Sequence, residues 1–237
     1  VEWVDPDGQV CTVLTATEFK EQAQDGWTWA VNLVRAHAQG LDVDAITPFS
    51  SLGTLVGRMH LRFAEAELQA WGPSACAAEL TGMRASLAEA LRIVDGEEGR
   101  RLQGHAARLA QLIEVAADIQ TTPVLPIHGD LHIGQVLRDD HGMVIIDFDG
   151  NPLLSPAQRC QPAPAARDIA GMLASLDHVA RVVNHRTPGL DPGPAAAWIE
   201  HAQRAFLSTY REELKASGMG HLLDERWVGP MLVDQEC

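Results

Sequence analysis

The strongest constraint on the fold is a change of hydrophobic period near residue 121. From Asp25 onward apolar residues recur at helical spacing: Trp27, Val31, Val34 and Ala38, ended by Gly40, then Leu52, Leu55, Val56, Met59 and Phe63 behind Ser51. Leu80, Met83, Leu87, Leu91 and Val94 predict a third helix, and Leu102, Ala106, Leu109 and Leu112 to Ala116 a fourth. After Thr121-Thr122-Pro123 the pattern becomes strand-like. Val124 to Ile127 and Met143 to Phe148 bracket a polar loop, with a hairpin turn at Asp140-His141-Gly142. Helical spacing returns at Ile169, Met172, Leu173, Leu176 and Val179, and again at Trp198, Ala202, Phe206 and Tyr210 behind Pro194. Ahead of all this, Glu2 to Val4 and Gln9 to Thr17 flank Asp5-Pro6-Asp7-Gly8 and read as a hairpin. The chain is therefore expected to be α+β and mostly helical, with short strands at 1–19, helices over 20–121, and strands plus helices over 122–237.

A chain of 237 residues, 46% hydrophobic and 21% charged, can bury a core without cross-links and is not disordered. Its net charge of −14 makes nucleic acid and anionic membrane poor partners and leaves small neutral or cationic ligands. Cys11, Cys76, Cys160 and Cys237 form no C-x-x-C pair, so neither a zinc site nor a disulfide framework is expected, and the compartment is reducing. Every apolar stretch breaks before the length of about 18 residues that spans a bilayer, and the N-terminus has no signal-peptide pattern. A cytoplasmic monomer is expected. Val1 opens in a strand and Cys237 stops in a helical run, so a longer parent protein is expected too.

The chemistry concentrates in His128-Gly129-Asp130-Leu131-His132-Ile133-Gly134-Gln135-Val136-Leu137 and in Ile145-Ile146-Asp147-Phe148-Asp149-Gly150. A strand delivers Asp130, an amide follows five positions later at Gln135, and a second carboxylate, Asp147, closes the next strand. Phosphoryl transfer from a nucleotide needs such a kit. One carboxylate orients and deprotonates the acceptor hydroxyl, while an amide oxygen and another carboxylate hold magnesium on the phosphates. Magnesium prefers oxygen ligands, which suits Gln135 and Asp147 and disfavours His132. His132 and His60 also fit plain structural roles, and Asp168 fits an N-cap.

These motifs resemble the kinase-like phosphotransferase superfamily, in its aminoglycoside phosphotransferase branch, whose catalytic loop reads H-G-D-x-x-x-x-N. Gln135 in place of the Asn is similar to maltokinases and glucosamine kinases, and the run H-G-D-L-H-x-G-Q-V-L resembles the latter almost letter for letter. Leu52-Gly53, Met59-His60-Leu61 and Arg167-Asp168-Ile169-Ala170-Gly171-Met172-Leu173 resemble two of their helices. The resemblance implies ATP and Mg2+ as cofactors, Asp130 as base, His128 as a brace for the loop, Gln135 and Asp147 as metal ligands, and Asp168 and His132 as structural supports. Asp168 would cap its helix and steady the loop. Thr15 to Phe19 resembles the hinge between lobes, so Thr17, Glu18 and Phe19 are expected to meet the nucleotide. Residues 1–19 would then be the last strands of the N-terminal lobe plus hinge, 20–121 a helical intermediate subdomain, and 122–237 the catalytic C-terminal lobe. The Gly-rich loop and strand lysine of such folds have no counterpart here ahead of the hinge.

Asp147-Phe148-Asp149-Gly150-Asn151-Pro152 resembles glucosamine kinases more than the D-F-E-G-E-P of maltokinases. The acceptor implied is glucosamine, forming glucosamine 6-phosphate, with maltose or an aminoglycoside as alternatives. Asp149, Asp177 and Glu236 are the expected carboxylates around its ammonium. Trp27, Trp29, Trp198 and Trp227 are open either to stacking on a sugar ring or to core packing. The rival from another class is a non-catalytic lobe that binds a sugar or a partner.

Overall fold

The computed structural model describes residues 2–4, 10–12 and 19–237. Strands β1 (Glu2–Val4) and β2 (Val10–Thr12) pair antiparallel, as the turn chemistry between them predicts. Asp25 then caps α1 (Gly26–Ala38), its carboxylate accepting from the Thr28 amide at 3.0 Å, and Gly40, at φ 77, follows the helix end. Helix α2 (Thr47–Ala66) begins ahead of the expected Ser51. Asp44 Oδ1 accepts from the Ile46 and Thr47 amides, and Pro48 occupies the first turn.

A strand too short to carry a periodic signal, β3 (Gln69–Trp71), separates α2 from the hairpin of α3 (Pro73–Ile93) and α4 (Gly96–Glu114). It pairs antiparallel with β4 (Thr122–Val124), setting Trp71 opposite Thr122. The chain then enters the polar loop and forms the hairpin of β5 (Val136–Asp139) and β6 (Gly142–Ile145). A single helical turn, α5 (Pro156–Arg159), precedes α6 (Ala166–Arg186), α7 (Pro192–Ala216) and α8 (Val228–Glu236).

Helices from either side of residue 121 share one core. Helix α2 lies along α7, and α1 and α8 pack on α6. The α2–α7 approach is close because Gly53 lacks a side chain: a Cβ there would sit 2.2 Å from the Phe206 carbonyl oxygen. Phe49, Leu52 and Val56 thereby meet Trp198, Phe206 and Tyr210, all fully buried. Burying a side chain of this size stabilises the fold by about 1.5 to 3 kcal/mol, and the burial decides between the two uses left open for three of the tryptophans. Trp29, Trp198 and Trp227 are at most 4% exposed and are core residues, closed to a sugar. Trp29 and Trp198 complete their hydrogen bonding internally, on the Val136 and Ala45 carbonyls at 3.1 and 2.8 Å. Trp27 is half-buried beside the His132 ring, 6.4 Å between centroids.

Candidate active site

Strand β4 leads through Leu125 to the His-Gly-Asp loop. Gly129 has φ 80, a conformation that favours glycine, and its missing Cβ leaves 3.3 Å to the Gly150 Cα. His128 is 1% exposed. Its Nε2 donates to the Ile146 carbonyl at 2.9 Å and its Nδ1 accepts from the Asp130 amide at 3.3 Å. One side chain thus ties the residue that would be the base to the residue before Asp147, which gives the brace expected of His128 a concrete geometry.

Asp147 is the one non-glycine residue with positive φ, 63°, among the described residues. Holding a non-glycine residue there costs of order 1 kcal/mol, and such strain clusters at functional sites. Gln135, at the end of the short 3-10 turn Ile133–Gln135, donates through Nε2 to Asp147 Oδ2 at 3.2 Å. An amide and a carboxylate twelve residues apart are therefore side by side. Phe148 stacks near His128, with ring centroids 4.9 Å apart, and meets Phe63 edge-on at 6.0 Å.

Asp168 does not cap its helix. The N-cap position is Ala165, and Asp168, in the first turn and 1% exposed, turns toward the loop. Its Oδ2 accepts from the His128 amide at 2.8 Å and its Oδ1 from the Gly129 amide at 2.9 Å, so the capping reading fails and the loop-steadying reading gains its geometry. His60 Nε2 adds a third contact to Oδ2, 3.0 Å. Farther along α6, Ser175 Oγ accepts from the Ile133 amide at 3.0 Å. His132 accepts from the Gly134 amide through Nδ1 at 3.0 Å. Burial pushes its imidazole below the ordinary value, against the opposing pull of the Asp130 carboxylate.

A cavity of about 660 Å³ opens beside the loop. Ile127, Gly129 and Asn151 form the end nearest the His-Gly-Asp loop, and Trp71, Glu79, Arg167 and Asp234 stand on its walls. Glu79 and Arg167 form a half-buried ion pair. Burial pushes the Glu79 carboxyl upward, Arg167 opposes the shift, and the Asp234 charge adds to it.

Several expected residues lie elsewhere. Asp149 is exposed and does not line the cavity. Asp177 pairs with Arg181 one helical turn on, and at nine residues past Asp168 it points about 180° away from it. Glu236 is exposed at the end of α8, while Asp234 and Gln235 of the same helix reach the cavity. Thr17 and Glu18 fall outside the described residues, and Phe19 is 81% exposed. Sequence reasoning missed Trp71, Glu79, Asp234 and Ser175. Only Arg167 had a signal, as the first residue of the R-D-x-A-G-M-L run.

The comparisons with known proteins agree with this geometry. Two glucosamine kinases are similar over most of the chain. That of Streptacidiphilus jiangxiensis is 44% identical over 224 residues, covering 90% of this chain and 49% of the relative. That of Mycolicibacterium smegmatis is 35% identical over 236 residues, covering 94% and 56%. A solved glucosamine kinase in complex with glucosamine, ADP and inorganic phosphate superposes with a TM-score of 0.88 at 43% identity, over 92% of this chain and 55% of that one. The chain spans about half the length of the relatives it matches. The phosphotransferase enzyme family pattern (APH) matches residues 28–215, and with the His-Gly-Asp loop built as described the chain belongs to that family.

Proposed function

We propose that the chain is the C-terminal, acceptor-binding lobe of an ATP-dependent kinase that converts glucosamine to glucosamine 6-phosphate, with residues 20–121 as its helical intermediate subdomain. The observation that carries the reading is the cavity itself. Gly129, next to Asp130, closes one end of it, and its walls combine an aromatic face, Trp71, with two carboxylates, Glu79 and Asp234, and two guanidiniums, of which Arg167 pairs with Glu79 and Arg159 donates to the Leu154 and Pro152 carbonyls. An aminosugar presents an apolar ring face and an ammonium, and both find partners there. The similarity to a kinase solved with glucosamine, ADP and phosphate supports the same assignment.

In this mechanism the acceptor hydroxyl oxygen attacks the γ-phosphorus of ATP and its proton passes to the Asp130 carboxylate. The bond from that phosphorus to the bridging oxygen breaks, and ADP leaves with the electron pair. His128 holds the Asp130 amide and Asp168 the amides of the two residues before it, and together they set the attack geometry. Gln135 and Asp147 fit magnesium, since one carboxylate and one amide oxygen suit this hard cation when nucleotide phosphates supply further oxygens. Bound there, it would neutralise charge on the phosphates. Asp234 on α8 serves the ammonium. Trp71 takes the ring face.

Competition among glucosamine, glucose, N-acetylglucosamine, maltose and an aminoglycoside tests the proposal. A charge-assisted hydrogen bond of about 1.5 to 3 kcal/mol corresponds to a preference for glucosamine over glucose of roughly 10- to 100-fold. Asp234→Asn should erode that preference. Maltose outcompeting glucosamine would overturn the acceptor assignment.

A further inference from the structure

Behind the catalytic loop lies a buried polar chain that the chemistry above does not use. Tyr210 of α7, His60 of α2 and Asp168 of α6 are 0%, 0% and 1% exposed. The Tyr210 hydroxyl is 2.8 Å from His60 Nδ1, and His60 Nε2 is 3.0 Å from Asp168 Oδ2. Asp168 in turn holds the His128 and Gly129 amides. We propose that Tyr210 is a positioning residue for the catalytic loop: its hydroxyl fixes His60 as the tautomer that donates from Nε2 to Asp168, which completes the anchor of the loop.

The assignment follows from counting donors and acceptors. Asp168 receives two backbone N–H groups and acts as acceptor, so the facing His60 Nε2 must carry a hydrogen. Burial, then the nearby Asp168 charge, drives the Tyr210 phenol far above its ordinary ionisation range, so it keeps its proton and can donate. A bare Nδ1 accepts that proton and every group in the chain is satisfied. With an imidazolium, Nδ1 would donate to the phenol oxygen, and the phenol proton would have no acceptor among the described residues. The other neutral tautomer would set a bare Nε2 against a carboxylate. Packing holds the arrangement: the His60 and Tyr210 rings meet edge-on at 5.6 Å, and Phe206 stacks on Tyr210 at 6.4 Å.

Only the catalytic consequence rests on the kinase reading, and the structural claim can be tested without it. Nitrogen-15 NMR of the histidine side chains and amide exchange of the protein would be compared with those of Tyr210→Phe. Val183→Ala is the control for general destabilisation, since Val183 is buried 15 residues farther along the helix that carries Asp168. In the parent, His60 should be protonated at Nε2 and bare at Nδ1. Tyr210→Phe should leave Nε2 protonated, strip Nδ1 of its hydrogen-bond donor and so shift the Nδ1 resonance, and raise exchange at His128 and Gly129 by about tenfold more than the control does. His60→Gln supplies a fixed N–H donor for Asp168 and a carbonyl for Tyr210, so it should keep the two amides near parental protection, and Tyr210→Phe should shift them less on that background. In the kinase assay Tyr210→Phe should lower kcat by about tenfold with the sugar KM within about twofold. A parental His60 protonated at Nδ1, loop amides that respond no more than in Val183→Ala, or an equal shift on both backgrounds would overturn the proposal. Absence of phosphoryl transfer to any acceptor by the full-length protein that carries this lobe would instead sink the kinase reading and leave the NMR result to decide this one.

Discussion

Gly171→Ala sets two effects of opposite sign against each other at the point where α6 meets the catalytic loop. In a helix interior, replacing Gly by Ala is favourable by about 1 kcal/mol when the site is open. At Gly171 it is not open: a Cβ would sit 2.6 Å from the Leu131 carbonyl oxygen, and Leu131 follows Asp130 directly. Ordinary contact begins at 3.4 Å, so the loop or the helix must yield by several tenths of an ångström. The loop has little freedom to do so, because Asp168 holds the amides of His128 and Gly129 on one side of Leu131 and Ser175 holds that of Ile133 on the other. Overpacking of this kind costs about 1 to 3 kcal/mol, which at least offsets the helix gain. The expected net loss is up to about 2 kcal/mol, or up to roughly 8 °C in Tm for a chain of this size. Because the displaced atoms flank the base, turnover should fall by about 10- to 100-fold. Gly104→Ala, with nothing within 4 Å of its Cβ, isolates the propensity term and should raise Tm by about 2 to 4 °C. Thermal unfolding followed by circular dichroism, paired with glucosamine phosphorylation, reads both quantities. If Gly171→Ala stabilises as Gly104→Ala does and keeps full turnover, the contact between α6 and the loop does not position Asp130.

Asp130→Asn should lower turnover by about 10² to 10⁴ with sugar affinity little changed; near-parental turnover would remove Asp130 from the role of base. Asp147→Ala should weaken magnesium-dependent nucleotide binding more than Gln135→Ala, since a carboxylate brings a full charge and an amide only a dipole, and calorimetric titration with and without magnesium tells them apart. His132 carries a pH signature. Its imidazole is held below the ordinary 6.5, so the unfolded chain binds the proton more readily than the folded one. The stability it contributes is complete above pH 6.5 and is lost as pH falls from there through the folded value, and His132→Gln should flatten that part of the urea-denaturation profile. An unchanged slope would show that His132 is not the titrating group.

The large helices and the catalytic motif were legible because each rests on local information. Trp27, Val31 and Val34 repeat at 3.6 residues whatever packs on them, and Asp130, Gln135 and Asp147 lie close enough in sequence for one hairpin to bring the last two together. The cavity walls were not. Trp71 sits on a three-residue strand that exists only because β4 pairs with it, and propensity over three residues carries no period. Glu79 and Asp234 are 155 positions apart, and nothing along the chain says that α3 and α8 face one space. The ammonium was assigned to Asp149, Asp177 and Glu236 by charge type, but Asp149 is exposed off the cavity, α6 turns Asp177 away from the loop, and Asp234 is the carboxylate of α8 that lines the cavity.

The R-D-x-A-G-M-L run was read as a helix start with an apolar face, and of its other residues only Asp168 was given a purpose. Ile169, Met172, Leu173, Leu176 and Val179 are indeed core. Asp168, Gly171 and Ser175 lie at i, i+3 and i+7, within about 60° of arc on the same helix. That narrow face follows the catalytic loop residue by residue. Asp168 takes the amides of His128 and Gly129, Gly171 makes room for the Leu131 carbonyl, and Ser175 takes the Ile133 amide. On the opposite side of the loop Gly26 of α1 admits the Ile133 carbonyl, 1.5 Å from where a Cβ would be, and Trp29 donates to Val136. Six consecutive residues with almost no secondary structure of their own are thus held from both sides by helices that no single motif contains. The polar and small positions that interrupt an amphipathic pattern are the ones to read as contacts to the loop.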